Sequence, residues 1–458
     1  MGAGHEQTTR RRVLGGLVSV GAVGTGAALA ACGVGGGPAG GTATGSGAAG
    51  GSAPRPVKFP ETLYITTIYN FQQNDPGYMA AAEEFSKQHN VKLEFTPGNT
   101  QEVITKIAGG TPPDVFRRDA AAFHQLVAEG GMRDLSPYLS AAKDVKIGDF
   151  YPQLIKMQTF QGKLMAVPED FQPASLLFYN RSLFDKGGEP YPKEDWTWNQ
   201  LLETSRKLTK GGGDVSDQYG YMFAGFTWEQ FVYNHGGQTV DNTENPTKLL
   251  LDTPQAIAGL EFMVDLQHRW KVMPSPQART AASLANEPAW FTANRLATLN
   301  HGTWQTATFT QSGENLSWGM TLAPKGQDGK PHYGTGGAGW SIPKEAKNPE
   351  ASFEFIRWQF GPQGWKTWLA RRDPKVFWLP ALRSLAEQEA KRLEQIYPNA
   401  SVVVKSAENV FLRPGGVRWE RAATEVINAV IGDLHQNKVP VKAAVTDLIA
   451  RANPILAG

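Results

Sequence analysis

The period of the hydrophobic pattern changes repeatedly along the chain after residue 61. Alternating β-branched and aromatic residues predict strands at 63–69 and 91–95. Apolar residues at helical spacing predict helices at 76–90 and 99–107. A short strand at 114–116 and a helix between Asp119 and Gly130 follow. This order of strands and helices predicts an α/β unit with a mainly parallel sheet.

A second series of strands and helices begins near residue 174. The pattern predicts strands at 175–179 and 295–300, and helices at 197–210, 253–264, 303–311, 349–360, 417–435 and 439–453. Thr197 and Gln200 have the spacing of a capping box, which marks the start of the 197–210 helix. The body of the chain therefore predicts two α/β lobes of roughly 200 residues each.

The first 56 residues have a different composition from the rest. Arg10, Arg11 and Arg12 precede an apolar stretch of small residues at 13–31, which is typical of an export signal and resembles the twin-arginine type. The sequence Leu29-Ala30-Ala31-Cys32 resembles the lipobox of bacterial lipoproteins, in which the cysteine is lipidated after cleavage. Residues 33–56 predict a flexible tether. The alternatives are a helical membrane anchor and an ordinary cysteine.

Charge and cysteine content exclude several classes of function. The chain has 45 Lys and Arg against 43 Asp and Glu, which gives no broad basic surface for nucleic acid. Without residues 1–31, which hold three Arg and one Glu, the counts become 42 and 42. The single cysteine and the dispersed histidines predict no disulfide framework, no metal site and no cofactor. A neutral body slightly favours an uncharged ligand over an anion.

Four motifs, in their order and spacing, resemble family 1 extracellular solute-binding proteins, the maltose-binding-like receptors of ABC importers. Residues 107–115 read IAGGTPPDV, and residues 177–184 read LFYNRSLF, in which Arg181 replaces the usual lysine. Residues 196–202 read WTWNQLL. Residues 336–344 read GGAGWSIPK and are followed by NPEA at 348–351. The resemblance covers about residues 60–455.

The resemblance implies a two-lobed α/β fold of the periplasmic-binding-protein type, with a ligand cleft between lobes joined by crossover hinge strands. By position, lobe one holds 57–168 and 323–372, and lobe two holds 173–319 and 377–458, after a signal at 1–31 and a lipidated tether at 32–56. It also implies a monomeric receptor without enzymatic activity, anchored by its lipid to the outer face of the cytoplasmic membrane. Such a receptor captures a sugar or oligosaccharide, closes around it and delivers it to an ABC permease.

Candidate ligand-binding residues lie at predicted strand ends and crossovers, where open α/β sheets bind ligands. Aromatic planes suit the apolar faces of sugars, and polar groups suit their hydroxyls. Trp304 and Trp419 align with stacking positions of the family. The candidate set is Tyr69, Asn70, Arg117, Arg118, Asp170, Phe171, Trp228, Glu229, Trp304, Gly337, Trp340 and Trp419, with Arg413 as a weaker addition. Each has a structural alternative, as a core residue or a solvated turn.

Three further interpretations of the sequence compete with sugar binding. Arg117 and Arg118 could bind an anionic ligand, such as a glycerol-phosphate-type or uronate solute. A secreted carbohydrate-active enzyme would need a pair of cleft carboxylates. Gly334, Gly336 and Gly339 have dinucleotide-fingerprint spacing, but a strand and Pro343 follow them where a helix is required. We expect these glycines to let a ligand approach the backbone instead.

Overall fold

The structure is a computed structural model that describes residues 57–67, 75–119, 126–127, 130–211, 217–284, 286–334, 336–372, 377–397 and 399–458. It does not describe the side chains of Thr100, Arg118 and Asp119. The predicted signal, Cys32, the tether, Tyr69 and Asn70 lie outside the described residues.

The first part of the chain alternates strands and helices as its hydrophobic pattern predicts. Asn99 accepts a hydrogen bond from the Glu102 N–H, and the Glu102 carboxylate accepts one from the Asn99 N–H, so a capping box starts the second helix. The elements are β1 (Thr62–Thr67), α1 (Pro76–His89), β2 (Lys92–Pro97), α2 (Thr100–Ala108), β3 (Val115–Asp119), α3 (Ser136–Ala141), α4 (Pro152–Met157), β4 (Thr159–Phe160), β5 (Lys163–Leu164) and β6 (Val167–Pro168).

The middle part contains the second predicted series and several elements that the pattern missed, among them the strand that follows residue 218. The capping box of Thr197 and Gln200 is confirmed. The elements are β7 (Leu176–Asn180), α5 (Arg181–Gly187), α6 (Trp198–Leu208), β8 (Tyr219–Phe223), α7 (Glu229–Asn234), α8 (Pro254–His268), α9 (Pro276–Ala282), α10 (Glu287–Thr292), β9 (Leu296–His301), α11 (Gln305–Gln311) and β10 (Trp318–Thr321).

The last part is largely helical. The predicted helix over 417–435 contains a π-helical segment, Ala423–Ile427, and the final helix continues to residue 457, past Pro454, beyond its predicted end at 453. The elements are β11 (Tyr333–Gly334), β12 (Ala338–Ser341), α12 (Pro349–Phe360), α13 (Pro362–Arg371), α14 (Arg383–Leu393), α15 (Ser401–Ser406), β13 (Val410–Phe411), α16 (Val417–Ala422), α17 (Asn428–His435) and α18 (Val441–Ala457).

Two main sheets define the two lobes. The first has the order β2-β1-β3-β12-β6, in which β1, β2 and β3 are parallel and β12 runs antiparallel to both of its neighbours. The second has the order β10-β7-β9-β8, in which β8 and β9 are parallel and β7 is antiparallel to β9 and β10. We call the parts built on these sheets lobe one and lobe two. The parallel sheet predicted for the first series is confirmed.

Hydrophobic residues cover both faces of the second sheet, because every residue of β7, β8 and β9 is buried. Leu177, Tyr221 and Phe223 pack in one cluster with the C-terminal helices α16 and α18. Phe178 and Leu299 belong to a different cluster, which extends through residues 377–407 to the core of the first sheet. In β7, alternate residues therefore belong to different cores, as the period of a strand requires.

The backbone that leaves lobe one after β6 is hydrogen-bonded to two other stretches of chain. The Glu169 N–H donates to the Ala338 carbonyl at 2.9 Å, and the Phe171 N–H donates to the Leu379 carbonyl at 3.0 Å. The Ala174 N–H donates to the carbonyl of Gly334 at 3.0 Å. The connection between the sheets is thus a bundle of adjacent extended segments, which has the form of the predicted crossover hinge.

Among the residues that the structure describes, no helix is both long enough and apolar enough to cross a membrane.

Candidate functional site

A cavity of about 550 Å³ lies between the two lobes. Lobe one contributes the end of α4 and the β4–β5 hairpin, and the other walls come from lobe two and the C-terminal segment. The lining residues are Lys156, Met157, Thr159, Phe160, Gln161, Phe226, Trp228, Glu229, Thr243, Glu244, Asn245, Leu412, Arg413, Pro414, Trp419, Glu420, Ala423, Ile427 and Asn428. Its volume falls in the range typical of small-molecule sites.

Two Trp-Glu pairs from separate parts of the chain meet at this cavity. Trp228 and Glu229 follow the carboxyl end of β8 and begin α7, whereas Trp419 and Glu420 lie on α16. Both tryptophans are largely buried in the lobe-two core and line the cavity. The site therefore combines indole rings and carboxyl groups, which the sequence predicted for only one of the pairs.

Arg413 holds one oxygen of Glu229. Its Nε and Nη2 donate to Oε1 at 3.2 and 2.9 Å, while the Glu229 side chain is only 2% exposed. Among the described residues, no donor reaches Oε2 of Glu229. Because a buried carboxylate oxygen without a donor is costly, a ligand that donates a hydrogen bond there would be stabilised.

Glu420 has no such ion pair with any residue that the structure describes. Burial raises the pKa of its carboxyl to about 7, and the charge of Arg413 offsets this only in part. The Glu420 carboxyl accepts no hydrogen bond from the residues that the structure describes. The two carboxyls of the cavity therefore differ in charge state. Glu229 is paired with a guanidinium, whereas Glu420 gains or loses its proton near neutral pH.

Aromatic residues also lie at the edge of the cavity. Strands β8 and β9 are parallel, so the loops after them reach the same edge of the sheet and bring Phe226 close to Trp304. Their rings stack with centroids 5.9 Å apart, and Phe226 lines the cavity. The Trp304 ring lies over Gly302, where a Cβ would clash with it. Trp304 thus does not line the cavity itself but supports Phe226, which does.

His301 packs edge-on against both Phe226 and Trp304. Burial lowers the pKa of His301 to about 4, and its Nδ1 accepts a hydrogen bond from the Gly302 N–H at 2.8 Å. The imidazole is therefore neutral at physiological pH and supports the two rings without contributing a charge.

Arg117 does not line the cavity, contrary to its predicted position at the cleft rim. Its Nε donates to Glu169 Oε2 at 2.6 Å, and both side chains are almost fully buried. The Trp340 indole N–H donates to the same oxygen at 2.9 Å. Trp340 is completely buried and stacks on Phe360 at 5.0 Å. Because the Arg117 side chain is held in a buried ion pair and the Trp340 ring is packed in the core, these two residues stabilise the start of the hinge.

Asp170 and Phe171 are buried in the crossover itself. Asp170 accepts hydrogen bonds from the Ala338 N–H at 2.7 Å and from Gln172 Nε2 at 2.6 Å. Burial, and then the charge of Glu169, raises the pKa of Asp170 to about 8. Phe171 stacks on Tyr151 with centroids 4.6 Å apart. Neither side chain lines the cavity.

Gly336 and Gly337 pack against the backbone of the crossover and do not line the cavity. A Cβ on Gly336 would lie 1.7 Å from the Gln172 carbonyl oxygen, and one on Gly337 would lie 2.6 Å from that of Asp170. Gly337 also has a φ of +137°, which side-chain-bearing residues rarely adopt. The glycines thus permit a close approach, as expected, but the group that approaches is the hinge chain.

The structure brings together Trp228, Glu229 and Trp419 of the predicted set, joined by Arg413, and it places Trp304 beside them through Phe226. Sequence reasoning missed Glu420, Phe226 and the lobe-one wall. A repeated Trp-Glu dipeptide was the available signal for Glu420. The backbone of Arg118 pairs with that of Gly339. The structure does not describe the side chain of Arg118, nor residues Tyr69 and Asn70.

A second cavity of about 640 Å³ lies within lobe two, at the start of β8 and the ends of α8 and α17. It is lined mainly by polar and basic residues, among them His268 and Lys438. The first cavity is the better candidate for a ligand that draws the lobes together, because both lobes line it.

Comparison with known proteins agrees with this geometry. A maltooligosaccharide ABC transporter solute-binding lipoprotein of Streptococcus pneumoniae is 22% identical over 381 residues, which cover 78% of this chain and 83% of that protein. An ABC substrate-binding protein of Listeria monocytogenes, solved in complex with cycloalternan, superimposes with a TM-score of 0.73 and 21% identity. The superposition covers 86% of this chain and 99% of that one.

The same fold also occurs with a different kind of ligand. UgpB of Mycobacterium tuberculosis, solved in complex with glycerophosphocholine, has a TM-score of 0.71 and 19% identity, covering 87% of this chain and 98% of that one. The fold is therefore shared by proteins with chemically different ligands, and the cavity must decide between them. The model of the bacterial extracellular solute-binding protein family matches residues 70–364, and the chain belongs to this family of receptors.

Proposed function

We propose that the chain is a lipid-anchored receptor that captures a carbohydrate, a sugar or an oligosaccharide, in the interlobe cavity and delivers it to an ABC importer. The observation that carries this proposal is the lining of the cavity. Indole and phenyl rings at Trp228, Trp419 and Phe226 lie beside carboxyl, guanidinium and amide groups. Rings suit the apolar faces of sugars, and the polar groups suit hydroxyls.

Electrostatics favours a carbohydrate over the anionic alternative. Arg117, one of the two arginines that motivated an anion site, is already paired with Glu169 in the core. In the cavity, Arg413 is paired with Glu229. The guanidinium groups of Arg117 and Arg413 thus both have a carboxylate partner, and an anionic ligand would have to compete with that carboxylate for the same donors.

Export and lipidation form the second half of the proposal. The twin-arginine signal and Cys32 support them, and the relative from Streptococcus pneumoniae is itself a lipoprotein. Labelling cells with a radioactive fatty acid should mark the wild-type chain and leave a Cys32→Ala chain unmarked. Equal labelling of both would refute the anchor.

The ligand proposal is tested with a panel of neutral sugars and oligosaccharides. A ligand at 100 times its dissociation constant should stabilise the protein by about 2.7 kcal/mol, so its melting temperature should rise. Asn428→Ala, in the lining, should weaken binding of the best ligand about threefold to tenfold. Gln395→Ala, an exposed amide side chain outside the lining, is the control. No shift with any carbohydrate would reject sugar binding.

The enzyme alternative receives no support from the family, which consists of receptors. We expect no release of reducing ends when the protein is incubated with oligosaccharides that it binds. Release that disappears in Glu229→Gln would establish hydrolysis instead.

A further inference from the structure

The charges that line the interlobe cavity do not balance. Its described lining contains three carboxyls, Glu229, Glu244 and Glu420, and two cations, Lys156 and Arg413. Lys156 lies 3.5 Å from Glu244, and Arg413 lies 2.9 Å from Glu229. Glu420 is the carboxyl that remains without an ion-pair partner among these residues. One additional positive charge would balance the charges of the lining.

The unpaired carboxyl lies beside other groups that suit a cation. Oε2 of Glu229, almost fully buried, has no donor among the described residues and is part of the same lining. Trp228 and Trp419 line the same cavity as these two carboxyls, so indole rings are part of the same site. Carboxylates and aromatic faces together form the environment in which an ammonium group is best stabilised.

A hydroxyl group would satisfy this arrangement only in part. It could donate to Oε2 of Glu229, but it would bring no charge to offset the burial of an ionised Glu420. An ammonium group has three donors and a full positive charge, so it can donate to Oε2 of Glu229 and also offset the charge of Glu420. The charges and the unpaired oxygen of the lining therefore favour an amine over an ordinary sugar hydroxyl.

We propose that the ligand of this cavity is an amine-bearing carbohydrate, whose ammonium group lies against Glu229 and Glu420. This inference rests on the proposed function and narrows its substrate class. The raised pKa of Glu420 is consistent with it, because a carboxyl without a cation holds its proton until a cationic ligand arrives.

The test uses matched pairs of probes that differ only at the nitrogen. These are glucosamine oligomers and the N-acetylglucosamine oligomers of the same length, with the galactosamine pair alongside, titrated into the purified full-length chain at a pH of about 7. We expect the free amine to bind at least about tenfold more tightly than its acetylated partner. Added salt should weaken binding of the amine and leave that of the acetylated probe nearly unchanged.

Glu420→Gln is the decisive variant. It should abolish the preference for the amine, so that the amine and its acetylated partner bind with affinities within about threefold of each other. Glu425→Gln is the matched control, because Glu425 follows Glu420 on the same helical stretch, pairs with Arg421 and does not line the cavity. Glu425→Gln should keep the wild-type preference. Melting temperatures at a pH of about 8 should show that Glu420→Gln is at least as stable as wild type, because it removes an uncompensated buried charge.

Each result has one meaning. Equal binding of amine and acetylated probes, or a preference that survives Glu420→Gln, overturns the inference and leaves carbohydrate binding intact. So does a neutral sugar from the wider panel that binds more tightly than every amine. If no carbohydrate binds, with or without an amine, the proposed function fails and this inference fails with it.

Discussion

At the scale of single residues, the hinge contains two adjacent acids in different electrostatic states. Glu169 accepts from both Arg117 and Trp340, so it is held as a carboxylate. Asp170 is next to that charge and fully buried, and the pKa of its carboxyl is raised to about 8. The sequence shows only that the two acids are adjacent, and the packing around them shows that the first is paired with a guanidinium while the second tends to keep its proton.

Asp170→Asn should therefore change how stability depends on pH. A carboxyl whose pKa is raised on folding binds its proton more tightly in the folded protein, so its contribution to stability is greatest at low pH. That contribution falls as the pH rises from about 4 to about 8, by at most about 1.4 kcal/mol per pH unit. Urea unfolding between those limits should show the free energy of unfolding of Asp170→Asn rising relative to that of wild type as the pH increases.

The comparison with wild type isolates Asp170, because the depressed pKa values of His301 and His435 act in the opposite direction and are common to both proteins. Asp447→Asn, an exposed acid paired with Arg451 on α18, is the control and should keep the wild-type profile. Parallel profiles for wild type and Asp170→Asn would show that Asp170 is ionised throughout the range.

At the scale of elements, the cavity depends on a loop with little regular structure. Residues 241–248 supply Thr243, Glu244 and Asn245 to the lining. Asp241 organises this loop, since its Oδ1 accepts from the N–H groups of residues 242, 247 and 248 and its Oδ2 accepts from the Thr247 hydroxyl. Burial alone would raise the pKa of Asp241, but these hydrogen bonds outweigh it and lower the pKa to about 2.

Asp241→Ala should loosen the loop without unfolding the lobes. Removing an acceptor of several hydrogen bonds from a mostly exposed site should destabilise the protein by about 1–2 kcal/mol. Ligand affinity should fall about fivefold or more, because binding must then order the loop. Proteolytic cleavage near 241–248 should speed up in Asp241→Ala and slow again when ligand is added. Asp241→Asn, which keeps one acceptor oxygen, should show a smaller effect on both measurements.

At the scale of the whole molecule, the sequence predicted the fold better than the site. Periodicity located β1, α1, α6 and α8 closely, because each buries a regular apolar stripe or starts at a visible cap. It could not decide which tryptophans face the cavity. Trp340 and Trp419 look alike locally, yet Phe360 covers the first in the core and the second reaches the cavity from the C-terminal segment. Contacts between distant parts of the chain decide this.

One ion pair joins the two lobes across the cavity. Lys156 at the end of α4 in lobe one lies 3.5 Å from Glu244 in the 241–248 loop of lobe two, and both side chains are more than half exposed. Such an exposed pair contributes about 0.2–1 kcal/mol and weakens with salt. The pair therefore adds a small free energy in favour of the closed form to that supplied by ligand binding. It should appear as a shift in the populations of the open and closed forms.

A charge-reversal cycle separates this bias from direct ligand contact. Lys156→Glu or Glu244→Lys alone places like charges across the cavity, and should lower affinity about twofold to fivefold and enlarge the radius of gyration measured by X-ray scattering. The double reversal, Lys156→Glu with Glu244→Lys, should restore both values, because the pair forms again with its ends exchanged. Reversing Arg451 and Asp447, an exposed pair within α18, should change neither value. If the double reversal binds as weakly as the worse single variant, the two side chains act on the ligand itself, and closure of the lobes does not depend on their pairing.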